Sequence, residues 1–313
     1  MTALPLTVTR VQALTPQVKL FRFEAATPLP LFSGGAHIVV EMPDGDVLRR
    51  NSYSLISDPH DPSGYEIAVR LDPQGRGGSR FLHEKVREGD RLRVSMPANL
   101  FAIDPRAKRH LLIAGGIGIT PFLAQIRQLD RLNLDWALHY AAPSRKEAAA
   151  LGLLPRSSRI SLHFSDEGNR MDLATLLDGQ PAGTHVFCCG PEGLITAVEA
   201  TAARLGWPQS HLHSEAFAAP PPGAAFSVTL GRSGRTLTVG PHQSLLEAIE
   251  AADVPIDWSC RGGACGRCET AVRACHGRIL HHDHWLSEDE RAAQTKIMPC
   301  MSRFLGEDLT LDL

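Results

Sequence analysis

The sequence has no long apolar run. Its longest uncharged stretch, His110 to Ile126, carries three glycines and a proline and falls short of the ~20 residues that a membrane helix needs. The start, MTALPLTVTRVQAL, lacks a basic segment followed by an apolar run and a small-residue cleavage site. The expectation is a cytoplasmic chain with no membrane association. It also lacks charge of one sign: 32 Lys and Arg stand against 34 Asp and Glu, a net charge of −2. Without a basic excess, nucleic acid is not an expected partner. Seven cysteines in 313 residues are too few for a disulfide scaffold. No internal repeat or long low-complexity tract is present. Apolar residues at 43% and charged residues at 21% are ordinary for a folded globular protein, and the length favours two domains, or three small ones.

The rhythm of the chain changes twice. Up to about residue 105 there are short strand candidates, at 18–25, 36–42, 53–56, 65–71 and 91–94. Pro-Asp-Gly at 43–45, Pro-Ser-Gly at 62–64 and Glu-Gly-Asp at 88–90 punctuate them. Many short strands between turn signals suggest a β-barrel or sandwich. From 106 to 217 strands alternate with helical patterns: strands at 110–114, 135–140, 160–164 and 185–189, helices at 121–129 and 193–205. That alternation implies a parallel α/β sheet. AAPPPG at 218–223 favours polyproline II, a semi-rigid spacer, and places a linker at 218–225. The last segment, 226–313, opens with a β-hairpin, FSVTL and RTLTV joined by Gly231 to Gly234. Ser244 to Glu247 then forms a capping box that starts a short helix.

The most specific signal is in this last segment. Cys260, Cys265 and Cys268 are spaced C-x4-C-x2-C, and Cys300 follows after 31 residues. This is the spacing of plant-type [2Fe–2S] centres. Gly262, Gly263 and Gly266 lie between the thiols, where a loop must turn its N–H groups toward sulfur and adopt positive φ. The alternatives are a zinc site, which usually uses two CxxC knuckles against the one present, or unrelated buried thiols. Cys275 falls outside the spacing and reads as a packed free thiol. His281, His282 and His284 read as a polar loop rather than as Rieske ligands, because four cysteines are already in place.

Three weaker motifs lie upstream. Ala114-Gly-Gly-Ile-Gly-Ile-Thr-Pro121 reads as a strand end, a tight turn and a helix start. Gly115, Gly116 and Gly118 would let the backbone approach a pyrophosphate near free helix N–H groups; the alternative is a plain strand–helix turn. Cys189-Gly190-Pro191 ends another strand, either beside a nicotinamide or as a buried strand end. Arg50-Asn51-Ser52-Tyr53-Ser54 and Gly75-Arg-Gly-Gly-Ser79, with Gly77 and Gly78 at its centre, offer guanidinium, hydroxyl and N–H groups to a phosphate and a ring to a planar cofactor. The alternative is a barrel strand and an exposed loop.

Taken together, YSL at 53–55, GRGGS at 75–79, AGGIGITP at 114–121, CGP at 189–191, SEAF at 214–217 and the four cysteines resemble the phthalate dioxygenase reductase family along almost the whole chain. The resemblance implies a ferredoxin-reductase-like flavin β-barrel over 1–105, a parallel α/β nucleotide domain over 106–217 and a C-terminal plant-type ferredoxin of β-grasp type over 226–313. It implies FMN rather than FAD, held by Arg50, Asn51, Tyr53, Ser54, Ala68, Val69, Arg70, Gly77, Gly78 and Ser79, with Phe217 stacked on the ring. NADH would lie against Gly115, Gly116, Gly118, Arg145, Gly190 and Pro191, with Thr120 and Cys189 flanking the nicotinamide and the flavin. Cys260, Cys265, Cys268 and Cys300 would hold the cluster. The implied activity is a hydride taken from NADH and two electrons passed one at a time to a terminal Rieske oxygenase, an aromatic ring dioxygenase or O-demethylase, met transiently by a monomer. Asn51 stands where the family often has arginine. Arg145 and Lys146 are equally suited to a 2′-phosphate, so the residues leave NADH against NADPH open. The rival function is a non-catalytic ferredoxin-like redox carrier or sensor with a nucleotide-binding module.

Overall fold

A computed structural model describes residues 3–217 and 219–313. The chain forms two compact units, 1–217 and 218–313. The first begins with an antiparallel sheet of seven strands: β1 (Ala3–Thr15), β2 (Val18–Glu24), β3 (Ala36–Asp44), β4 (Val47–Ser54), β5 (Tyr65–Arg70), β6 (Arg91–Ser95) and the short β7 (Ala98–Asn99). The order is β4-β3-β6-β1-β2-β5, with β7 on β3. A bridge between Leu55 and Ile67 joins the two ends of this order, and Ile56 N–H donates to Glu66 C=O at 2.8 Å. The sheet therefore closes on itself, which removes its edges. Leu6, Val8, Phe21, Phe23, Ile38, Val40 and Ile67 fill its interior. Helix α1 (Gly78–Glu84) follows the GRGG loop.

Two barrel strands differ from the sequence expectation. β1 is thirteen residues long and was not anticipated, because its alternation fails at the register shift between Val8 and Arg10. β4 starts at Val47, well before the expected residue 53. Its middle, Arg49 to Ser52, is polar, so no apolar alternation announces it. Antiparallel pairing to β3 from Asp44↔Val47 to His37↔Ser54 holds it in place.

The second sheet of this unit is fully parallel, in the order β10-β9-β8-β11-β12. Its strands are β8 (Arg109–Gly115), β9 (Trp136–Ala142), β10 (Ile160–Phe164), β11 (Thr184–Cys189) and β12 (Leu212–Glu215). Helix α2 (Thr120–Arg131) covers one face with Phe122, Leu123, Ile126 and Leu129; α3 (Leu173–Asp178) and α4 (Glu192–Arg204) cover the other with Leu177, Ile195, Val198 and Ala202. The α2 core also takes in Val18, Leu20, Ile56 and Ala68 from the barrel, so barrel and sheet share one apolar core. β12 and α3 are too short to show a period in the sequence.

The second unit is a mixed sheet in the order β14-β13-β17-β15-β16: β13 (Phe226–Leu230), β14 (Arg235–Val239), β15 (Thr270–Leu280), β16 (Lys296–Ile297) and β17 (Arg303–Leu311). β13 and β17 pair in parallel and the remaining pairs are antiparallel. Helix α5 (Leu245–Ala251) opens on the expected capping box at Ser244 and Glu247. It buries Leu245, Ala248 and Ile249 against the sheet. Helix α6 (Glu288–Ala293) has a second capping box, Ser287 with Glu290.

Candidate functional site

In the parallel sheet, β8 and β11 are neighbours whose following connections leave in opposite directions, to β9 on one side and β12 on the other. Ligands of open α/β sheets bind in the crevice beyond the carboxyl ends of strands at such a switch point. Gly115 ends β8 and Cys189 ends β11. A Cβ added at Gly118 would lie 2.3 Å from Cys189 O, one at Gly115 would lie 2.8 Å from Leu194 and Pro191, and one at Gly190 would lie 3.0 Å from Gly115 N. Three of the four glycines therefore let two turns interlock. Gly116 alone has open space at this position, and it lines a cavity of about 240 Å³ with Arg70, Ile117 and Lys146. The structure thus brings Arg70 at the barrel's end and the glycine turn to one cavity.

Thr120 is buried at the start of α2, and its hydroxyl donates to Ile117 C=O at 3.0 Å. Cys189 is fully buried, and burial pushes its thiol well above the usual range, so it is neutral. In register with it lies Glu215 on β12, which the sequence reading did not single out. Its Oε2 is buried with no hydrogen-bond partner among the described residues. Burial raises its carboxyl to about 7. Only the lateral strand pairing reveals this neighbour.

On the barrel, Asn51 and Tyr53 share one face of β4, and Asn51 Nδ2–H donates to Tyr53 Oη at 3.3 Å. Burial raises the Tyr53 phenol, which stays neutral. Strand alternation puts Arg49, not Arg50, on this face. Arg49 donates to Arg76 C=O and, at 3.2 Å, to Asp44, with its guanidinium within 3.0–3.3 Å of where a Cβ on Gly77 would sit. Arg50 faces the other way, 3.0 Å from Glu41. Ser54 is buried at the end of the strand. A Cβ on Gly78 would come within 2.3 Å of Asn51 Nδ2, so a side chain there would close the space between loop and strand. Ser79 Oγ accepts from Asp72 N–H at 3.0 Å. Val69 C=O is taken by His83 Nε2–H at 2.8 Å, and Ala68 lies in the shared core. Phe217 is half exposed. Arg145 is bound to Glu167.

In the second unit the four spaced cysteines form two thiol pairs, Cys260 with Cys265 and Cys268 with Cys300. Among the described residues no three His, Cys, Asp or Glu converge as they would on a single ion. Two pairs fit a centre of two irons, each taking two thiolates. Gly262 N–H and Ala264 N–H donate to Cys260 Sγ at 3.4 Å. Within each pair one thiol is held low by the other, Cys265 by Cys260 and Cys268 by Cys300, with backbone N–H groups adding to it, while Cys260 and Cys300 are pushed up by their partners and by burial. Gly263 and Gly266 have φ of +77° and +71°, and a Cβ on Gly266 would sit 2.3 Å from the Trp285 ring. Both demands exclude other residues. Arg261 also takes a positive φ, +55°. It is held there by a bidentate pair with Glu250 on α5, 2.9 Å at each contact, and by Trp258 at 4.7 Å. Arg261 escaped the sequence reading because Glu250 lies in another element. His282 and His284 are exposed as expected, while His281 is buried 3.6 Å from Asp283. Cys275 lies on β15, apart from the two pairs.

Comparison with known proteins agrees with this layout. The model of the oxidoreductase FAD-binding domain matches residues 5–103. That of the dimethylamine monooxygenase subunit DmmA-like N-terminal domain matches 94–212, and the 2Fe-2S iron–sulfur cluster binding domain matches 228–305. The carnitine monooxygenase reductase subunit of Escherichia coli (strain K12) is 46% identical, covering 98% of this chain and 97% of that protein. The heme-dependent oxidative N-demethylase beta subunit of Ectopseudomonas mendocina (strain ymp) is 46% identical over 100% and 99%. The phthalate dioxygenase reductase of Burkholderia cepacia is 37% identical over 91% and 89%. A solved phthalate dioxygenase reductase, described as a modular structure for electron transfer from pyridine nucleotides to [2Fe-2S], superposes with a TM-score of 0.87 at 34% identity, covering 99% and 98%. Flavin barrel, parallel nucleotide sheet and cysteine-bearing β-grasp thus recur here in that order, and the chain belongs to the phthalate dioxygenase reductase-like family, the reductase components that carry electrons from a pyridine nucleotide through a flavin to a [2Fe–2S] cluster for an oxygenase.

Proposed function

We propose that this chain takes NADH as its donor and, as a cytoplasmic monomer, delivers electrons in a transient encounter to a Rieske-type oxygenase. Residues 1–105 would hold FMN, 106–217 the nucleotide and 226–313 the cluster, with 218–225 as linker. The bound flavin would accept a hydride and the cluster single electrons, and that redox chemistry belongs to the cofactors. The protein's own part is positional. Arg49, Asn51 and Tyr53 face the Gly77–Gly78 loop and would seat the flavin and its phosphate. Gly116 would lie under the pyrophosphate, with the neutral Thr120 and Cys189 keeping water from the reacting atoms. Cys260, Cys265, Cys268 and Cys300 would be the four iron ligands. Among the described residues no helix is long and apolar enough to cross a membrane.

The observation that carries this reading is the arrangement of four thiols in two pairs, with the N–H groups of Gly262 and Ala264 on Cys260, on a chain whose other unit holds a switch-point crevice. Anaerobic titration with NADH tests it. Uptake of about three electrons per chain, two at the flavin and one at the cluster, is expected. A flavin that does not bleach would leave the carrier or sensor function.

A second reading concerns the partner's substrate. Two relatives at 46% identity are named for a carnitine monooxygenase and a heme-dependent oxidative N-demethylase, a phenoxybenzoate dioxygenase subunit stands at 42%, and the vanillate and phthalate reductases stand at 37–39%. The N-demethylase among the two at 46% supports an oxygenase that removes a methyl group from nitrogen as the alternative to one that acts on an aromatic ring. Reduction rates of purified oxygenases of both classes would decide it.

A further inference from the structure

The adenosine half of a dinucleotide whose pyrophosphate lies at the β8 turn extends over the carboxyl ends of β9 and β10. Two loops meet there, one after Ala142 and one after Phe164. Asp166 N–H donates to Pro143 C=O at 3.1 Å. Arg145 reaches across from the first loop to Glu167 on the second, with Nε 2.7 Å from Oε1 and Nη2 3.4 Å from Oε2. The guanidinium also lies 4.7 Å above the ring of Phe164, which is fully buried. The fork is therefore aimed from two sides, by a carboxylate and by an aromatic face. Both partners remain open to solvent, at 58% and 42% side-chain exposure, so the pair contributes little to folding. Its consequence lies in recognition.

We infer that Glu167 sets the donor preference of this reductase, favouring NADH over NADPH by occupying Arg145. The inference rests on the NADH reading given above. A carboxylate accepts a hydrogen bond from a ribose 2′-hydroxyl and repels a 2′-phosphate of charge close to −2. With Glu167 in place, the Arg145 fork is neutralised, and Asp166 beside it is an exposed carboxylate. Lys146, which lines the cavity toward Gly116, is the nearest cation in sequence and stands one residue from the pair. Arg145 alone would recruit a 2′-phosphate; paired to Glu167 it does not.

The test uses the purified holoprotein at low ionic strength, with ferricyanide as acceptor. The ratio of kcat/KM for NADH to that for NADPH is measured first, and binding of 2′,5′-ADP and of 5′-AMP is measured by calorimetry. The wild type should prefer NADH and hold 2′,5′-ADP no tighter than 5′-AMP. Glu167→Gln should move the kinetic ratio toward NADPH, and the binding ratio toward 2′,5′-ADP, by about tenfold each, the effect of removing roughly one unit of like charge. Adding Arg145→Ala should abolish both gains. Unchanged ratios in Glu167→Gln, with NADH still preferred by the wild type, overturn the role of Glu167 and leave the NADH reading standing. A gain that survives Arg145→Ala overturns the role of the pair. A wild type that uses NADPH as well as NADH overturns the NADH reading itself.

Discussion

The two ends of the electron path are built in opposite ways. At the iron–sulfur end, three of the four cysteines and the glycines among them lie within nine consecutive residues, Cys260 to Cys268. At the flavin and nucleotide end, the candidate residues come from β4, the 75–79 loop, the β8 turn and the end of β11, brought together by a closed barrel and a parallel sheet that share one core. A contiguous site is fixed by local conformation: positive φ at Gly263 and Gly266, and a bidentate clamp on Arg261. An assembled site is fixed by distance between backbones. Gly118 against Cys189 and Gly78 against Asn51 are its most sensitive points.

The contrast can be broken from either side. The largest effect is expected from Cys300→Ser. The visible iron–sulfur signal should vanish while NADH still bleaches the flavin, as followed by anaerobic stopped-flow absorbance. Retention of a wild-type cluster spectrum would exclude Cys300 as a required ligand. Next is Arg261→Ala, which takes the guanidinium from a mostly buried Glu250 and should destabilise the second unit by about 3 kcal/mol. Denaturant unfolding followed at the cluster should show an earlier midpoint, with flavin reduction by NADH unchanged. Gly118→Ala should do the converse. Its new methyl meets Cys189 O at 2.3 Å, so a loss of about 2 kcal/mol and slowed flavin reduction by NADH are expected, with the cluster spectrum intact.

The smallest effect per group comes from pH. Burial lowers His37 on β3 and His139 on β9 to about 4 in the folded chain, against about 6.5 unfolded. Between these values the unfolded chain binds more protons, so stability is complete above pH 6.5 and falls as the pH drops toward 4. The first unit should lose about 1–2 kcal/mol per histidine near pH 5. Its thermal unfolding at pH 7 and pH 5, followed by flavin release, checks this. An unchanged midpoint would mean that neither ring is held neutral by the fold.

Legibility in the sequence followed the range of the interactions. Strands β3, β5, β10 and β13 stood where apolar residues alternate or run together, and the α5 capping box was local by nature. β1 was hidden by its own bulges. β4 was hidden because its middle residues are polar and mostly half-buried, so no apolar alternation marks it. Which of Arg49 and Arg50 shares a face with Asn51 and Tyr53 is set only once the pairing of the strand is known. Glu167, Glu215 and Glu250 act on residues in other elements, and nothing in their own neighbourhoods announces them.

The sequence by itself determined which chemistry the chain can host. Ligand type, spacing and glycine placement at 260–268 are local demands that only those residues meet, and the order of strand-rich, alternating and hairpin segments set the architecture. Tertiary structure decided which side chains meet. The parallel register aligned Cys189 with Glu215, the interlocked turns left Gly116 open to the cavity, and two loops on neighbouring strands joined Arg145 to Glu167. Such encounters depend on strand order and pairing, which join residues far apart in the chain and leave no periodic trace in it.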